Sequence, residues 1–292
     1  GTDMYNVAVG FEAGNDITTG TLNTLIGGLA GDALTTGSYN VAVGARALGA
    51  EDGHGGNVAV GVDALMLLNA GVDGFNTAVG HEAGKVMSTG VGSTLIGSFA
   101  GDALTTGNYN VAVGSYALST EDGHGFNVAI GRSALQTLNA GINAYNVAVG
   151  YYTGQAITTG PYNTIVGALA GDALTTGDRN VAIGTSALGT ETAYGKNVAI
   201  GTNTLTIQNA GADTYNVAVG YNAGLAVTTG VSNTLIGGQA GDSLTTGGYN
   251  VAIGRAALAT ENAHGRNVAI GYEALYTLDA GADAYNIAIG YK

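Results

Sequence analysis

The chain has 292 residues, of which 52 are glycine, one is proline and none is cysteine or tryptophan. This composition excludes collagen, proline-rich disorder, a disulfide framework and a thiolate metal site, and a hydrophobic content of 46% is too high for a disordered chain. The formal net charge of −13 repels phosphate backbones, so we expect no nucleic-acid partner.

Charged residues are scarce, and so are long apolar runs. Charged residues make up only 10% of the chain, which is unusually low for a soluble cytosolic protein. We therefore expect an extracellular protein, on a virion surface or a cell surface. The apolar runs are about four residues long, against the roughly 20 that a spanning helix needs, so we expect no membrane insertion.

The motif Asn-Val-Ala-Val-Gly begins at Asn6 and recurs with small changes to Asn286, in 17 copies. The steps between copies are 17, 17, 17 and 19 residues, so the pattern repeats every 70 residues. A period this short predicts an all-β fold, a parallel β-solenoid (β-roll or β-helix) of about 17 coils with 17–19 residues per coil. We expect one solenoid domain over residues 1–292, cut from a longer fibre, with super-repeats 1–70, 71–140, 141–210 and 211–280 and a partial one at 281–292.

The first unit shows what one coil contains. Val7-Ala8-Val9 is predicted to be a short strand, and Gly10 closes it. Two variable positions and a small residue, Ala13, follow. A second short strand is predicted through Ile17-Thr18-Thr19, before a turn delivers the chain to the next unit.

Two positions in each unit are nearly invariant and are predicted to hold the coils together. The opening residue is Asn in 16 of 17 units, with Ser93 as the exception, and its amide can bond to local backbone at a turn. The closing residue is always Gly, which indicates a torsion or a close approach that no side chain tolerates. The predicted structural ladder comprises Asn6, Asn23, Asn40, Asn57, Asn76, Gly10, Gly27, Gly44, Gly61 and Gly80.

The strand does not alternate apolar with polar residues, so both of its faces are predicted to be covered. Three chains packed around an axis would cover the second face, and the small alanine would permit close approach. A single chain with a moderately apolar face is the alternative. Glutamate should dissociate a trimer if the alanines line its axis, and should unfold the chain if they face the coil interior; the positions are Ala42, Ala112, Ala182 and Ala252.

The third-coil turn, Glu51-Asp52-Gly53-His54-Gly55, is the strongest candidate for chemistry. A carboxylate with an imidazole can bind a metal or transfer protons. Equivalent turns lie four coils apart, about 19 Å at strand spacing, whereas metal ligands lie within about 2 to 2.6 Å of the ion. We therefore predict a solvated polar turn, with weak calcium binding as the alternative, no resident cofactor and no enzymatic activity. The equivalent turns begin at Glu121, Glu191 and Glu261.

The two residues after each strand-closing glycine change freely between super-repeats, which indicates exposure. Exposed aromatic residues at regular spacing suit weak multivalent contact with a glycan. Incidental aromatic residues in solvated turns are the alternative. The predicted receptor contacts are Phe11, His81, Tyr151, Tyr152, Tyr221 and Tyr272.

Threonine pairs such as Thr18-Thr19 and Thr35-Thr36 raise a different possibility. Regular threonine rows on a flat solenoid face can bind ice. Coils three and four interrupt the rows with Glu51-Asp52-Gly53 and Leu68-Asn69-Ala70, which suits ice poorly.

The unit Asn-x-Ala-Val/Ile-Gly-x-x-Ala resembles the head repeats of trimeric autotransporter adhesins, whose motif is Ser-Val-Ala-Ile-Gly. It is also similar to repeats of phage tail-fibre-like and bacterial surface proteins. Residues 76–83 and 216–224 carry the resemblance, which implies a parallel β-roll, usually trimeric, that serves attachment on a cell or virion surface.

The resemblance and the repeat pattern together predict a non-enzymatic structural fibre or adhesin segment of a phage tail fibre or a bacterial surface protein. Its expected role is attachment to a host receptor or a surface glycan, with self-association as a homotrimer or fibre. The alternatives are an ice-binding β-solenoid and a purely mechanical spacer or self-assembling filament subunit.

Overall fold

The computed structural model describes residues 4–292. Each sequence repeat in this range forms one strand of three residues. The strands are β1 (Val7–Val9), β2 (Thr24–Ile26), β3 (Val41–Val43), β4 (Val58–Val60), β5 (Thr77–Val79), β6 (Thr94–Ile96), β7 (Val111–Val113), β8 (Val128–Ile130), β9 (Val147–Val149), β10 (Thr164–Val166), β11 (Val181–Ile183), β12 (Val198–Ile200), β13 (Val217–Val219), β14 (Thr234–Ile236), β15 (Val251–Ile253), β16 (Val268–Ile270) and β17 (Ile287–Ile289).

The chain divides into two compact units, Gly1–Tyr145 and Asn146–Lys292. In the first unit, β1 to β8 pair in sequence order as a parallel sheet, with Ala42 opposite Ala59, for example. In the second unit, β9 to β17 pair in the same way, with Ala199 opposite Ala218. The predicted all-β fold of stacked parallel coils is confirmed. That residues 1–292 form one domain stays a prediction.

The predicted second strand of each coil was wrong. The segment around Thr18 and Thr19 forms bends and turns instead. Its amides still bond to the next coil, because the N–H groups of Thr18 and Thr19 both donate to the Thr35 carbonyl, at 2.9 and 3.1 Å. Two donors on one carbonyl break the regular ladder that a strand requires. Each coil is therefore one short strand followed by irregular turns.

The middle residue of each strand from β2 to β16 is fully buried in the interior of its coil. Ala42 and Leu25 are fully buried, and turn residues such as Leu34 and Leu48 complete the core. Val41 and Val43, on either side of Ala42, point outward and are half-buried. The hypothesis that the alanines line an axis between chains was therefore wrong, because they are already fully buried within a single chain. The outward face of each strand carries Val or Thr, or Ile in β17, and then Val or Ile.

The coil turns corners at residues with left-handed backbone torsions. In the third coil these are Tyr39, Arg46 and Leu48, with φ of 61°, 56° and 54°. Non-glycine residues adopt this conformation at a penalty of roughly 1–2 kcal/mol each. Leu48 is fully buried, and burying a leucine contributes roughly 1.5–3 kcal/mol. Packing of the corner side chain can thus offset the local backbone strain.

Candidate functional site

The asparagine that opens each unit joins three successive segments of backbone. Asn23 Oδ1 accepts a hydrogen bond from the N–H of Asn40 at 2.9 Å. Its Nδ2 donates to the Gly37 carbonyl at 2.9 Å. Ser93 continues the row, because its Oγ accepts from the N–H of Asn110 at 3.2 Å. Such side chains therefore link one coil to the next, and amides such as that of Asn23 also close their own coil. In the fourth coil the amide of Asn57 donates instead to the Gly55 carbonyl, just before it in the chain.

The strand-closing glycine combines an unusual torsion with a close approach. Gly44 has φ of 136°, and a Cβ at this position would collide with the carbonyl of Gly61 in the next coil. Gly61 has the same relation to Gly80. The spacing between coils therefore requires glycine at this position, because any side chain would push the coils apart.

The predicted receptor contacts lie at the corner that follows the strand. Phe11 is 73% exposed, Tyr221 is 59% exposed and Tyr151 is 47% exposed. His81 and Tyr272 are also exposed, whereas Tyr152 is half-buried. The rule that free variation implies exposure fails at Asp63, which is buried.

Several of these side chains pack on aromatic neighbours. His81 meets Phe99 edge-on, with ring centroids 5.2 Å apart, and Phe99 stacks on Tyr116 at 5.0 Å. Within one coil, the rings of Tyr151 and Tyr152 are 4.1 Å apart. Further contacts join Tyr272 to Tyr291, 5.3 Å apart and stacked, and to Arg255, which donates to the Tyr272 hydroxyl at 2.9 Å.

A second aromatic row, which we did not predict, lies at the residue before the opening asparagine of each repeat. This position is Tyr or Phe in ten of the 17 units, so a register-by-register comparison would have revealed it. Within the compact unit Gly1–Tyr145, Phe126 lies between Tyr109 and Tyr145, with ring-centroid distances of 5.3 and 5.2 Å. The row comprises Tyr5, Tyr39, Phe75, Tyr109, Phe126, Tyr145, Tyr162, Tyr215, Tyr249 and Tyr285, and each is exposed.

Within the compact unit Asn146–Lys292, three coils place a cationic side chain in this row. Arg179 lies 5.5 Å from the ring centroid of Tyr162, and Lys196 lies 5.6 Å from that of Tyr215. Arg266 lies 5.5 Å from both Tyr249 and Tyr285. These distances are typical of cation–π contacts. The row is therefore purely aromatic in some stretches and mixed with guanidinium or ammonium groups in others.

The third-coil turn buries its glutamate, so the prediction of a solvated turn was wrong at this residue. Glu51 is fully buried, whereas Asp52 is exposed. The N–H of His54 donates to Glu51 Oε1 at 3.1 Å, and His54 Nδ1 lies 3.6 Å from the same oxygen. Within residues 4–292, no donor meets hydrogen-bond geometry at Glu51 Oε2, although the backbone N–H of Ala70 stabilises its negative charge. Burial raises the pKa of the Glu51 carboxyl above its ordinary value.

Two equivalent turns repeat this geometry. His124 Nδ1 lies 3.4 Å from Glu121 Oε1, and His264 Nδ1 lies 3.4 Å from Glu261 Oε1. The second oxygen of Glu121 accepts only a long hydrogen bond, 3.4 Å, from the N–H of Ala140. Burial also raises the pKa of Glu121. The carboxylate–imidazole pair is therefore a repeated feature of the fold.

The remaining equivalent turn, at Glu191, provides different hydrogen-bond partners for its carboxylate. Gln208 Nε2 donates to Glu191 Oε2 at 3.3 Å and to Thr214 Oγ1 at 2.7 Å. Thr214 Oγ1 in turn donates to Asn197 Oδ1 at 2.5 Å, and Asn216 Nδ2 donates to Gln208 Oε1 at 2.9 Å. All five side chains are fully buried. We call these five residues, Glu191, Asn197, Gln208, Thr214 and Asn216, the buried polar network.

The threonine pairs bond to backbone. Thr18 Oγ1 donates to the Thr35 carbonyl at 3.1 Å, and Thr35 Oγ1 donates to the Asp52 carbonyl at 2.8 Å. These hydroxyls therefore contribute to stacking of the coils.

Comparison with protein-family models, curated proteins and solved structures found no match to this chain. Among the residues that the structure describes, no helix is long and apolar enough to cross a membrane.

Proposed function

We propose that this chain is a non-enzymatic structural segment of an extracellular fibre, either a phage tail fibre or a bacterial surface adhesin, that self-associates and presents its corners to a receptor. The observation that carries this proposal is the difference between the buried inner face and the half-exposed outer face of each strand. The interior is closed by the chain's own Ala and Leu residues, while the outward strand positions remain half-exposed and apolar. Such a surface suits a partner chain on a virion or cell surface.

Self-association is supported by the regularity of the outward face. The side chains of Val41 and Val43 are followed by those of Val58 and Val60 at the same positions of the next coil. Several isoleucines in the same row are at least one-third exposed, including Ile26, Ile96 and Ile183. Burial of apolar area against second and third copies of the chain would be favourable at roughly 25 cal/mol per Å². A homotrimer is the assembly that we propose.

Sedimentation equilibrium of the intact chain tests this assembly. We expect a mass three times that of one chain. Glutamate at the outward positions Val43, Val113, Ile183 and Ile253 should give a folded monomer, because charge would be buried in the interface. Glutamate at the adjacent Ala42 is the matched control and should unfold the coil instead. A wild-type chain that sediments as a monomer would contradict self-association.

Receptor binding is supported by the aromatic residues on the two corners that flank the strand. Phe11, Tyr151 and Tyr221 are exposed after the strand, and Tyr39 and Tyr249 are exposed before it. Repeated weak contacts of this kind multiply through effective concentration. A glycan array should show binding that falls when Tyr151, Tyr152 and Tyr221 are changed to serine. Unchanged binding of this variant would contradict the assignment of these residues as contacts.

Ice binding is a second candidate, and one observation favours it. The outward strand positions form two regular rows of β-branched side chains, such as Thr24 beside Val41 and Ile26 beside Val43. Thermal hysteresis of the purified chain at micromolar concentration would support this function. If the chain shows no thermal hysteresis, a structural role would describe it better, and a purely mechanical spacer is one such role.

A further inference from the structure

The turns at Glu51 and Glu121 each gather three side chains of metal-binding chemistry. The ligand atoms of Glu51, Asp52 and His54 all lie within 4.8 Å of one another. The equivalent group, Glu121 with its neighbours at 122 and 124, meets the same distance. The large distance between equivalent turns is therefore no obstacle, because each turn supplies three ligands by itself.

Unpartnered atoms within the turn point to a missing ligand. Within the described part of the chain, no donor reaches Oε2 of the fully buried Glu51 with hydrogen-bond geometry, although the backbone N–H of Ala70 stabilises its charge. The Nδ1 atoms of His54, His124 and His264 are likewise buried, and each faces a glutamate oxygen at 3.4–3.6 Å without hydrogen-bond geometry. A buried carboxylate oxygen without a partner is unfavourable. A bound cation would pair the carboxylate and accept the lone pair of the imidazole nitrogen.

The distances fit two ligands of one ion. With metal–ligand bonds of about 2.0–2.2 Å and tetrahedral angles, two ligand atoms lie about 3.4 Å apart. The observed separations of Nδ1 from Oε1 are 3.6 Å at His54 and 3.4 Å at His124. Asp52 is exposed, so its carboxylate can rotate to complete a third bond.

We propose that the turns 51–54 and 121–124 each bind one divalent cation of the zinc class through Glu, Asp and the Nδ1 atom of His, with water in the remaining position. One nitrogen and two carboxylates suit zinc and similar transition metals, whereas calcium prefers six to eight oxygen ligands. A cation that binds only the folded turn stabilises it by mass action. The two ions would stabilise the folded third coil in each of the first two super-repeats.

The other two super-repeats provide natural references. The turn at Glu261 retains His264 but has Asn262 in place of the aspartate. The turn at Glu191 has Thr192 and Tyr194 in place of both the aspartate and the histidine. The proposed three-ligand site is therefore absent from these two sequences. Tyrosine and threonine are also shown to be compatible with the turn, which makes them suitable replacements.

Isothermal titration of the intact, chelator-treated chain with zinc chloride tests the proposal. We expect the double variant His54→Tyr with His124→Tyr to bind two zinc equivalents fewer than the wild-type chain. The variant Asp52→Thr with Asp122→Thr should lose at least tenfold in zinc affinity at these sites. The matched control His264→Tyr should retain the wild-type stoichiometry. Circular dichroism of each variant verifies the fold.

Two results would overturn the proposal. One is a difference of fewer than two equivalents between the wild-type chain and the double histidine variant. The other is saturation of these turns by calcium chloride with no binding of zinc. X-ray absorption of the zinc-loaded chain should show one imidazole nitrogen and at least two oxygens around each ion, and a shell of oxygen alone would also contradict the assignment.

Discussion

The turns at Glu51 and Glu191 occupy the same place in the repeat, two super-repeats apart, and both bury a glutamate. At Glu51 the carboxylate faces a histidine and keeps one oxygen without a hydrogen bond. At Glu191 the histidine is replaced by Tyr194, and Gln208 satisfies the second oxygen. One backbone can thus hold the same buried acid by two different sets of neighbours.

The replacements around Glu191 are coupled. Gln208 and Thr214 occupy positions that are Leu68 and Gly74 two super-repeats earlier in the chain. Gln208 bonds to Thr214 as well as to Glu191. A buried polar side chain is tolerated only when its neighbours satisfy it. The difference between the two turns is therefore best understood as a change of the whole network.

Replacement of Gln208 by leucine should give the largest effect. It would leave Glu191 Oε2, Thr214 Oγ1 and Asn216 Nδ2 each short of one hydrogen bond. Thr214 Oγ1 keeps its bond to Asn197 and Asn216 Nδ2 keeps its bond to the Gly230 carbonyl. At roughly 1.5–3 kcal/mol for the lost bond to the carboxylate and roughly 0.5–1.5 kcal/mol for each other lost bond, we expect the free energy of unfolding to fall by about 3 kcal/mol in urea titration. Thr214→Ala is the control with a smaller expected loss, because alanine occupies the equivalent positions 144 and 284. A loss below about 1 kcal/mol would show that the network contributes little.

Transfer of the network to the equivalent positions two super-repeats earlier should reveal the coupling directly. Leu68→Gln alone and Gly74→Thr alone should each destabilise, because each would place an unsatisfied or crowded group beside Asn57 or Glu51. The double variant should be more stable than the sum of the singles by about 1–2 kcal/mol, the range of direct couplings. Urea unfolding of all four chains measures this double-mutant cycle. Additive losses would indicate that the two turns differ in backbone as well as side chains.

The pH dependence of the free energy of unfolding should differ between the wild-type chain and the variant Glu191→Gln. Burial raises the pKa of Glu191 above its ordinary value of 4.5. The folded chain therefore holds this proton more tightly than the unfolded chain, so the contribution to stability is fully present below pH 4.5 and is lost as the pH rises through the folded pKa.

The variant Glu191→Gln removes this titration. Relative to the wild-type chain, its free energy of unfolding should rise as the pH increases from 4.5 to 8, because only the wild-type chain loses the contribution of the tightly held Glu191 proton. Urea unfolding across this range measures the difference. Thr214→Ala disturbs the same network without removing a titrating group and is the matched control. A difference that stays constant with pH would contradict the burial argument.

The smallest effect is expected for His54→Tyr in the absence of metal. His54 is partly exposed, and the bond to Glu51 Oε1 comes from its backbone N–H. The side chain therefore contributes little by itself, and we expect a change within about 0.5 kcal/mol, as for most surface substitutions. Thermal unfolding in the presence of a chelator measures it. A larger loss would show that the imidazole stabilises the buried carboxylate without any cation.

The sequence alone determined the length and stacking of the coils, because each repeat of the sequence forms one coil of the stack. Repetition of Asn6 and Gly10 at 17- and 19-residue steps located every strand and every joint between coils. The exposure of Phe11 and Tyr221 could also be predicted, because residues in a core do not vary freely between repeats. The row of Tyr39 and its equivalents was equally visible in the sequence at the position before each asparagine.

Only the tertiary structure decided which face of the strand is inside and which acids are buried. A three-residue strand of Val, Ala and Val is apolar on both faces, so its period of two leaves the direction open. The structure decides it, because Ala42 is fully buried together with turn leucines such as Leu34 and Leu48. Likewise, the polar composition of the turn at Glu51 suggested exposure, but the side chain of Glu51 is fully buried. Local sequence specifies the period, and packing between coils specifies the environment of each side chain.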